Sequence, residues 1–377
     1  MVHARDRYKL GMSGVREFSR ADIPAVADLW LKVFCHRDGT SPQALRSCFE
    51  EMFLDHPWRG IPLPSLLYED KDGAVVGFLG VLPRLMNFKG NPIHTAVTSQ
   101  FMVDSSRHHG NAAIELMKRF LAGPQELSLT DGATQGARRI WEALRGEVAT
   151  TYSCLWTRVL RPAQYTLDLM KRRNTLKPLA SAAKPFARAL DTAVTRMPLT
   201  PYPLPISSSA GEEANTENVL RCVAELPPRW SLRPGYTLDS LEWLLQKAGE
   251  AKTRGHLRKV IVRGANHDVL GWYIYYAKPG GTGKVLQIGG REHGISEVLG
   301  HLFHDAWQAG ALAVSGRLEP RFARELSEKR CDFVFHDVTV MIHSRRNDIV
   351  DAIQRNNAFL TRLDGEWWMR FQEESWI

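Results

Sequence analysis

The stretch SSRHHGNAA, residues 105–113, combines the residue types and the spacing of an anion-binding loop. Arg107 offers a planar guanidinium that suits a diphosphate, and Gly110 has no Cβ to keep a ligand away from the backbone. Apolar residues recur at helical spacing after Ala112, so a helix is predicted to begin there. The first N–H groups of a helix lack backbone acceptors and carry partial positive charge. The stretch therefore predicts a phosphate site at a helix start.

A polar turn that only caps a core helix would have a similar composition, so the surrounding elements matter. The loop follows an apolar strand and precedes a helix and a second strand, and the same order recurs later around GREHGIS. The separation of Gly110 from Gly132 equals that of Gly294 from Gly316. Two strand–turn–strand patterns, SLLYEDKDGAVVGFLGVLP and RKVIVRGANHDVLGWYIYY, precede the two loops. The repetition predicts two copies of one α/β unit.

The length of the chain and the distribution of its charge indicate where the two copies are separated. A chain of 377 residues exceeds one ordinary domain. Eight basic and two acidic residues lie between Arg161 and Thr200, whereas the net charge of the whole chain is only +8. This segment is also rich in proline and is followed by SSSAGEEANTEN, which is typical of a linker. We predict an N-terminal lobe at 1–160, a basic helical linker at 161–215 and a C-terminal lobe at 216–377.

Several classes of protein do not fit the composition. No apolar run approaches the roughly 18 residues of a membrane span, and the charged N-terminus does not resemble a secretory signal. Five scattered cysteines without a CxxC pair favour a reducing cytoplasm over a disulfide framework or a zinc site. His301, His304 and Asp305 in HLFHD lack a further well-placed ligand, so we expect a helix surface there and no metal.

The order of elements resembles the GCN5-related N-acetyltransferase (GNAT) superfamily. VREFSRADIPAVADLWLKVF resembles its opening strand and helix, and FMVDSS followed by RHHGNA matches its acyl-CoA motif at Arg107, Gly110 and Ala112. The resemblance spans residues 14–160 and, more weakly, 235–345. It implies an α/β fold of two GNAT-like lobes, each a mixed, mostly antiparallel sheet flanked by helices. The tandem arrangement and the closing LTRLDGEWWMRF resemble FemABX-like and polysaccharide-associated acyltransferases.

The resemblance implies that acetyl-CoA or another acyl-CoA is a co-substrate of the N-terminal lobe. The residues that it places against the CoA moiety are Met102, Val103, Arg107, His108, His109, Gly110, Asn111 and Ala112. In the second lobe, GREHGIS makes a less open turn, which indicates a degenerate copy that completes an acceptor site. The implied reaction is N- or O-acyl transfer to an amino or hydroxyl group of a small molecule. An amino sugar or an envelope or polysaccharide precursor would fit.

Catalytic and acceptor-binding residues are less clearly indicated. The strand in which the family carries its usual base, HTAVTSQFMVD, has no carboxylate before Asp104. Asp131, at the mouth of the next strand, and Tyr152, in a later strand, are therefore the candidates for base and acid, although either could be structural. If DGEWWMRF is a strand, Trp367 and Trp368 point to opposite faces, and one of them could stack on a sugar or a base.

The basic segment at 161–200 suggests further hypotheses. In KPFARALDTAVTRM an apolar stripe lies away from Arg188 and Arg196, so residues 161–200 could contact the inner face of an anionic membrane. A linker helix packed against a lobe would show the same pattern. Two alternatives for the whole protein stay open: a FemABX-like aminoacyl transferase, with tRNA on the basic segment, and a non-catalytic GNAT-fold CoA sensor. The sequence does not indicate the oligomeric state.

Overall fold

The chain folds into two compact units, each built on one mixed sheet. The computed structural model describes residues 14–34, 41–107, 111–172, 183–194, 200, 202–203, 205, 207–225, 230–335, 339–369 and 371. Unit 1 contains the described residues up to 149 together with 339–351. Unit 2 contains those from 150 to 335 and from 352 onwards.

Unit 1 has helices on both faces of its sheet. Its strands are β1 (Gly14–Glu17), β2 (Leu66–Glu69), β3 (Val75–Phe88), β4 (Asn91–Val103), β5 (Leu127–Ala133), β6 (Glu147–Val148) and β15 (Thr339–His343). Its helices are α1 (Ile23–Phe34), α2 (Pro42–Phe53), α3 (Ala112–Leu121) and α4 (Gln135–Ala143). The strands follow the order β1-β2-β3-β4-β5-β15-β6, in which β4 and β5 are parallel and the other neighbours are antiparallel.

The two faces of this sheet bury different sets of side chains. On one face, Leu116 and Phe120 of α3 pack with Val81 and Ala96 of the sheet in an apolar cluster. On the other face, the rings of α2 meet Phe78 edge to face. This burial follows from the sequence pattern, because α3 is amphipathic and β3 and β4 are apolar on both sides.

Unit 2 is also built on a mixed sheet. Its strands are β7 (Cys154–Val159), β8 (Ala210–Glu213), β9 (Leu232–Pro234), β10 (His256–Arg263), β11 (Val269–Ala277), β12 (Thr282–Gly290), β13 (Ala313–Arg317) and β14 (Asp332–Phe335). Its helices are α5 (Pro162–Arg172), α6 (Lys184–Val194), α7 (Thr216–Glu225), α8 (Leu238–Gly249), α9 (Ile295–Gln308) and α10 (Ala323–Glu328); α11 (Asn347–Gln354) runs across the boundary from unit 1. The sheet order is β14-β7-β13-β12-β11-β10-β8, with β12 and β13 parallel.

The predicted fold class is confirmed, because both units are mixed, mostly antiparallel sheets flanked by helices. The predicted boundaries differ from the observed units. Strand β7 lies inside the predicted lobe 1–160 but pairs with β13 and β14, and β15 lies inside 216–377 but pairs with β5 and β6. Strand β8, inside the predicted linker 161–215, pairs with β10. Pairing between distant strands depends on long-range contacts, which a local pattern does not record.

Candidate functional site

Strands β4 and β5 separate from each other at their carboxyl ends. Their parallel pairing covers Thr95–Val97 and Leu127–Leu129. Beyond these residues, the described pairing joins β4 only to β3 and β5 only to β15. We call the gap between Thr98–Val103 and Thr130–Ala133 the β4–β5 cleft. The carboxyl ends of parallel strands are where ligands of open α/β sheets bind.

A bulge in β4 accounts for this separation. Between Ser99 and Met102, strand β4 places two residues against one of β3. Gln100, in the bulge, has a left-handed backbone with a φ of 52°. Its side chain accepts a hydrogen bond from Trp30 Nε1 at 2.7 Å and donates one to Ser99 Oγ at 3.3 Å. A bulge bends its strand, so these bonds hold the end of β4 away from β5.

A second set of bonds fixes the start of the loop that leaves β4. The backbone N–H of Asp104 donates to Val76 at 2.8 Å, and its carboxylate accepts from the N–H and Oγ of Ser106, at 3.0 and 2.7 Å. Lys32 Nζ donates to the same carboxylate at 2.6 Å and to Ser106 Oγ at 2.9 Å. Burial opposes ionisation of Asp104, but these donors outweigh it and lower its pKa to about 2. Lys32 is half exposed and brings a positive charge to the loop.

Helix α3 begins without a side-chain cap from the residue before it. Asn111 occupies the N-cap position, is exposed and makes no capping hydrogen bond in the described structure. Ala112 is fully buried, and a Cβ on Gly77 would come within 2.9 Å of Leu116, so the helix lies close to the sheet. Its first N–H groups are thus presented next to the β4–β5 cleft, where they suit an anion.

The predicted CoA-binding residues fall around this cleft where they are described. Met102 is buried opposite Phe78, and Val103 is partly buried opposite Gly77. Asn111 and Ala112 form the start of α3. His108, His109, Gly110 and the side chain of Arg107 lie outside the described residues.

Of the two predicted catalytic residues, Asp131 lines the cleft. It is buried on β5, where the register against β15 shifts between Thr130 and Ala133. Tyr152 belongs to unit 2 and precedes β7. Its hydroxyl donates to the carbonyl of Ala358 at 2.6 Å and accepts from the N–H of Ala358 at 3.2 Å. Burial raises the pKa of Tyr152 well above the usual range. The structure therefore assigns the two residues to different units.

The tryptophan pair lies in turns of the C-terminal segment rather than in a strand. The ring of Trp367 contacts the guanidinium groups of Arg254, at 4.1 Å, and Arg362, at 4.4 Å. Trp368 is fully buried and meets Trp243 edge to face. Both rings are thus in contact with side chains of unit 2, and stacking on an acceptor stays a prediction.

In unit 2, strands β12 and β13 also separate, and the C-terminal segment packs against β12 at that point. The parallel pairing of β12 and β13 ends at Lys284 and Ser315, and the register of β12 shifts before Gln287. The carbonyl of Leu286, at this bulge, accepts from the N–H of Leu363 at 3.2 Å. Gln287 Nε2 donates to Thr361 Oγ1 at 3.3 Å and to Tyr236 Oη at 3.1 Å. The C-terminal segment and Tyr236 are therefore hydrogen-bonded to the bulged part of β12.

The residues weighed as metal ligands are each engaged elsewhere. His301 Nδ1 lies 2.9 Å from Tyr273 Oη, and the carboxylate of Asp305 accepts from Arg258 and Tyr275. His304 Nδ1 lies 2.9 Å from the carbonyl of Pro205. Among the described residues, no group of three or more His, Cys, Asp and Glu is placed to hold a metal. No described helix is long and apolar enough to cross a membrane.

A polar cluster near the base of the cleft was not indicated by the sequence. Arg84 on β3 is buried opposite Thr95, where the pairing of β4 with β5 begins. Its guanidinium lies 4.3 Å from the ring centroid of Trp58. Burial, and then the charge of Arg84, lower the pKa of His56 to about 4, so this imidazole is neutral at pH 7. Arg84 lies inside an apolar strand, and no local pattern marks it as part of a site.

Comparison with solved structures identifies the fold. The chain is similar to a probable N-acyltransferase of Enterococcus faecalis V583, with a TM-score of 0.56 and 11% identity over 88% of this chain and 73% of that one. It is similar to GCN5-related N-acetyltransferases from Anabaena variabilis (TM-score 0.56, 11% identity, 89% and 74% covered) and Kribbella flavida (0.53, 12%, 89% and 71%). No family model and no curated protein sequence matches the chain. The chain thus has the fold of GCN5-related N-acetyltransferases.

Proposed function

We propose that this protein is an acyl-CoA-dependent acyltransferase that acts on an amino or hydroxyl group of a small acceptor. The observation that carries the proposal is the β4–β5 cleft, which runs from the bulge at Gln100 to the uncapped start of α3. A cleft between two separating strands suits an extended chain, and a helix start suits a diphosphate. Pantetheine and the pyrophosphate of CoA provide these two features in that order.

Residues on three elements would hold the substrate. The first N–H groups of α3 bind the pyrophosphate, and Lys32, positioned by Asp104, adds positive charge. Backbone groups of Gln100–Val103 pair with the pantetheine amides. The small, buried side chain of Ala112 lets the start of α3 lie close to the sheet. Acyl-CoA itself supplies the thioester, whose acyl carbon is the electrophile.

Asp131 is the residue that we place at the reacting atoms. Its carboxylate takes the proton of the acceptor as the nitrogen or oxygen bonds to the acyl carbon. Backbone N–H groups at the cleft stabilise the oxyanion that forms. The carbon–sulfur bond then breaks, and the thiolate leaves with the proton that Asp131 returns. The products are the acylated acceptor and free CoA, and the carboxylate is regenerated.

Native mass spectrometry with acetyl-CoA and longer acyl-CoAs tests the binding step. We expect one acyl-CoA per chain and loss of the complex in Arg107→Glu. Arg291→Glu is the matched control, because Arg291 occupies the corresponding loop of unit 2 and is exposed. Absence of any complex, or equal loss in both variants, would remove the proposal.

Turnover is measured as release of the CoA thiol with amino sugars, other amines and sugar alcohols as acceptors. Asp131→Asn should bind acyl-CoA like the wild type and lose thiol release. The acyl preference and the accepted nucleophile would then distinguish N- from O-transfer and narrow the acceptor class. A complex that never turns over would favour a CoA sensor, and binding of aminoacyl-tRNA in place of acyl-CoA would favour a FemABX-like reaction.

A further inference from the structure

Unit 1 contains a cavity of about 170 Å³ at the carboxyl end of α3. It is lined by two charged residues, Glu17 of β1 and Arg119 of α3, and by four buried apolar residues, Leu63, Leu66, Val81 and Phe120. Helix α3 is about 15 Å long, and its other end faces the β4–β5 cleft. The cavity and the cleft have no lining residue in common, so the cavity is a separate feature of the unit.

The two charged residues lie at the mouth of this cavity. Val15 of β1 packs in the apolar cluster under α3, and Glu17, two residues further along the strand, therefore lies on the same face of the sheet. Glu17 and Arg119 are exposed, whereas the apolar lining residues are buried. Among the described residues, neither charged side chain forms an ion pair or a hydrogen bond. An acidic and a basic group are thus available to a ligand above an apolar floor.

Hydrogen bonds and prolines fix the walls of the cavity. Gln125 Nε2 donates to the carbonyl of Phe120 at 2.7 Å, which holds the turn after α3 against the helix. Ser65 Oγ accepts from the N–H of Val81 at 2.9 Å, which holds the start of β2 against β3. Three prolines also line the cavity and restrict its backbone: Pro62, Pro64 and Pro124. A cavity that exists before its ligand arrives loses little free energy to ordering when the ligand binds.

Size and charge together select one class of ligand. The cavity of about 170 Å³ is smaller than the roughly 300–1,000 Å³ of sites for drug-sized molecules, so its ligand is small. The apolar floor favours an apolar side chain. A guanidinium binds a carboxylate, and a carboxylate binds an ammonium group. An α-amino acid carries a carboxylate, an ammonium group and a side chain on one carbon atom.

We propose that this cavity binds a free α-amino acid with an apolar side chain, such as leucine. The side chain contacts Leu66 and Phe120 in the floor, the carboxylate contacts Arg119, and the ammonium group contacts Glu17. The proposal is independent of acyl transfer, because the cavity is separate from the β4–β5 cleft and its occupancy is measured without acyl-CoA.

Ligand-detected NMR titration of the full-length protein tests the proposal with four probes. L-Leucine carries all three groups, 4-methylpentanoate lacks the ammonium group, 3-methylbutylamine lacks the carboxylate, and glycine lacks the apolar side chain. Leucine should bind, and each of the other three should bind about tenfold more weakly, because each loses one of the contacts. Absence of leucine binding at about 10 mM would overturn the proposal. Equal affinity for leucine and either single-charge probe would also overturn it, since the cavity would then not recognise both charges.

Substitutions of the two charged residues assign each contact. Glu17→Gln should weaken leucine binding about tenfold and leave the affinity for 4-methylpentanoate unchanged, and Arg119→Gln should do the same with 3-methylbutylamine as the unaffected probe. Lys118→Gln and Asp72→Asn are the matched controls, because both residues are exposed and neither lines the cavity. Both controls should bind leucine like the wild type. Equal losses in the controls, or unchanged leucine binding in Glu17→Gln or Arg119→Gln, would overturn the assignment of the cavity.

Discussion

At the bulge of β4 we predict that glycine at position 100 is more stable than alanine, which is the reverse of their usual order in a strand. In a regular strand, glycine is less stable than alanine by roughly 0.5–1 kcal/mol, because it has more backbone freedom to lose. At the φ of 52° that Gln100 adopts, a Cβ instead costs about 1–2 kcal/mol. Gln100→Gly and Gln100→Ala both lose the bonds to Trp30 and Ser99, so their difference isolates the backbone. We expect the glycine variant to be more stable by about 1 kcal/mol.

Urea unfolding of the two variants measures this difference. His94 provides the control, because it is exposed on β4 within regular pairing with β3. There, His94→Ala should be more stable than His94→Gly. Isothermal titration with acyl-CoA tests whether the bulge also shapes the site. Gln100→Gly should retain more acyl-CoA affinity than Gln100→Ala, because glycine keeps the bulge without strain. Equal stability, or a more stable alanine at position 100, would refute both the bulge and our explanation of the cleft.

Three further substitutions test the role of buried polar groups. The pKa of Asp104 is lowered to about 2, so its contribution to stability should be present at neutral pH and disappear as the pH falls from about 4 to 2. Asp104→Asn should show no such loss in acid denaturation series. Burial raises the pKa of Glu319 to about 8, so stability should decrease as the pH rises from about 5 to 8, by at most about 1.4 kcal/mol per pH unit, and Glu319→Gln should remove this slope. Tyr152→Phe should cost about 1–3 kcal/mol in urea unfolding, because it removes the hydroxyl that bonds to Ala358, and should leave kcat/KM unchanged. Lost turnover with unchanged stability would instead make Tyr152 catalytic.

Local patterns in the sequence were sufficient to predict the elements that form the cleft. Leu116, Met117 and Phe120 lie on the buried face of α3, as their spacing predicts, and the strands around the turns near Asp72 and Asn266 are present. These features depend on side chains within a few residues of one another, so periodicity records them. The fold class followed, because strands and helices in this order leave few ways to cover both faces of a sheet.

The finer geometry of the site depends on contacts between residues far apart in sequence. Lys32 and Asp104 are 72 residues apart, and Trp30 reaches Gln100 across 70. Glutamine has no preference for a left-handed backbone, so nothing in SQFMVD indicates the bulge. The sequence therefore predicted a phosphate site at the loop but not the lysine beside it or the separation of β4 from β5.

The exchange of strands between the halves of the chain has a consequence for folding. Strand β15 pairs with both β5 and β6, although about 200 residues separate it from them, and β7 pairs with β13 and β14 of the later half. A fragment of residues 1–160 would leave the β15-facing edge of β5 without its partner and would keep β7 without either neighbour. Because buried backbone groups need partners, neither unit is complete in a contiguous half of the chain.

We expect fragments 1–160 and 161–377 to be unfolded or aggregated when they are separate. They should regain a folded circular dichroism spectrum and acyl-CoA binding only when they are refolded together. A folded fragment 1–160 that binds acyl-CoA would contradict the observed pairing, because the cleft would then not require β15 on the far side of β5.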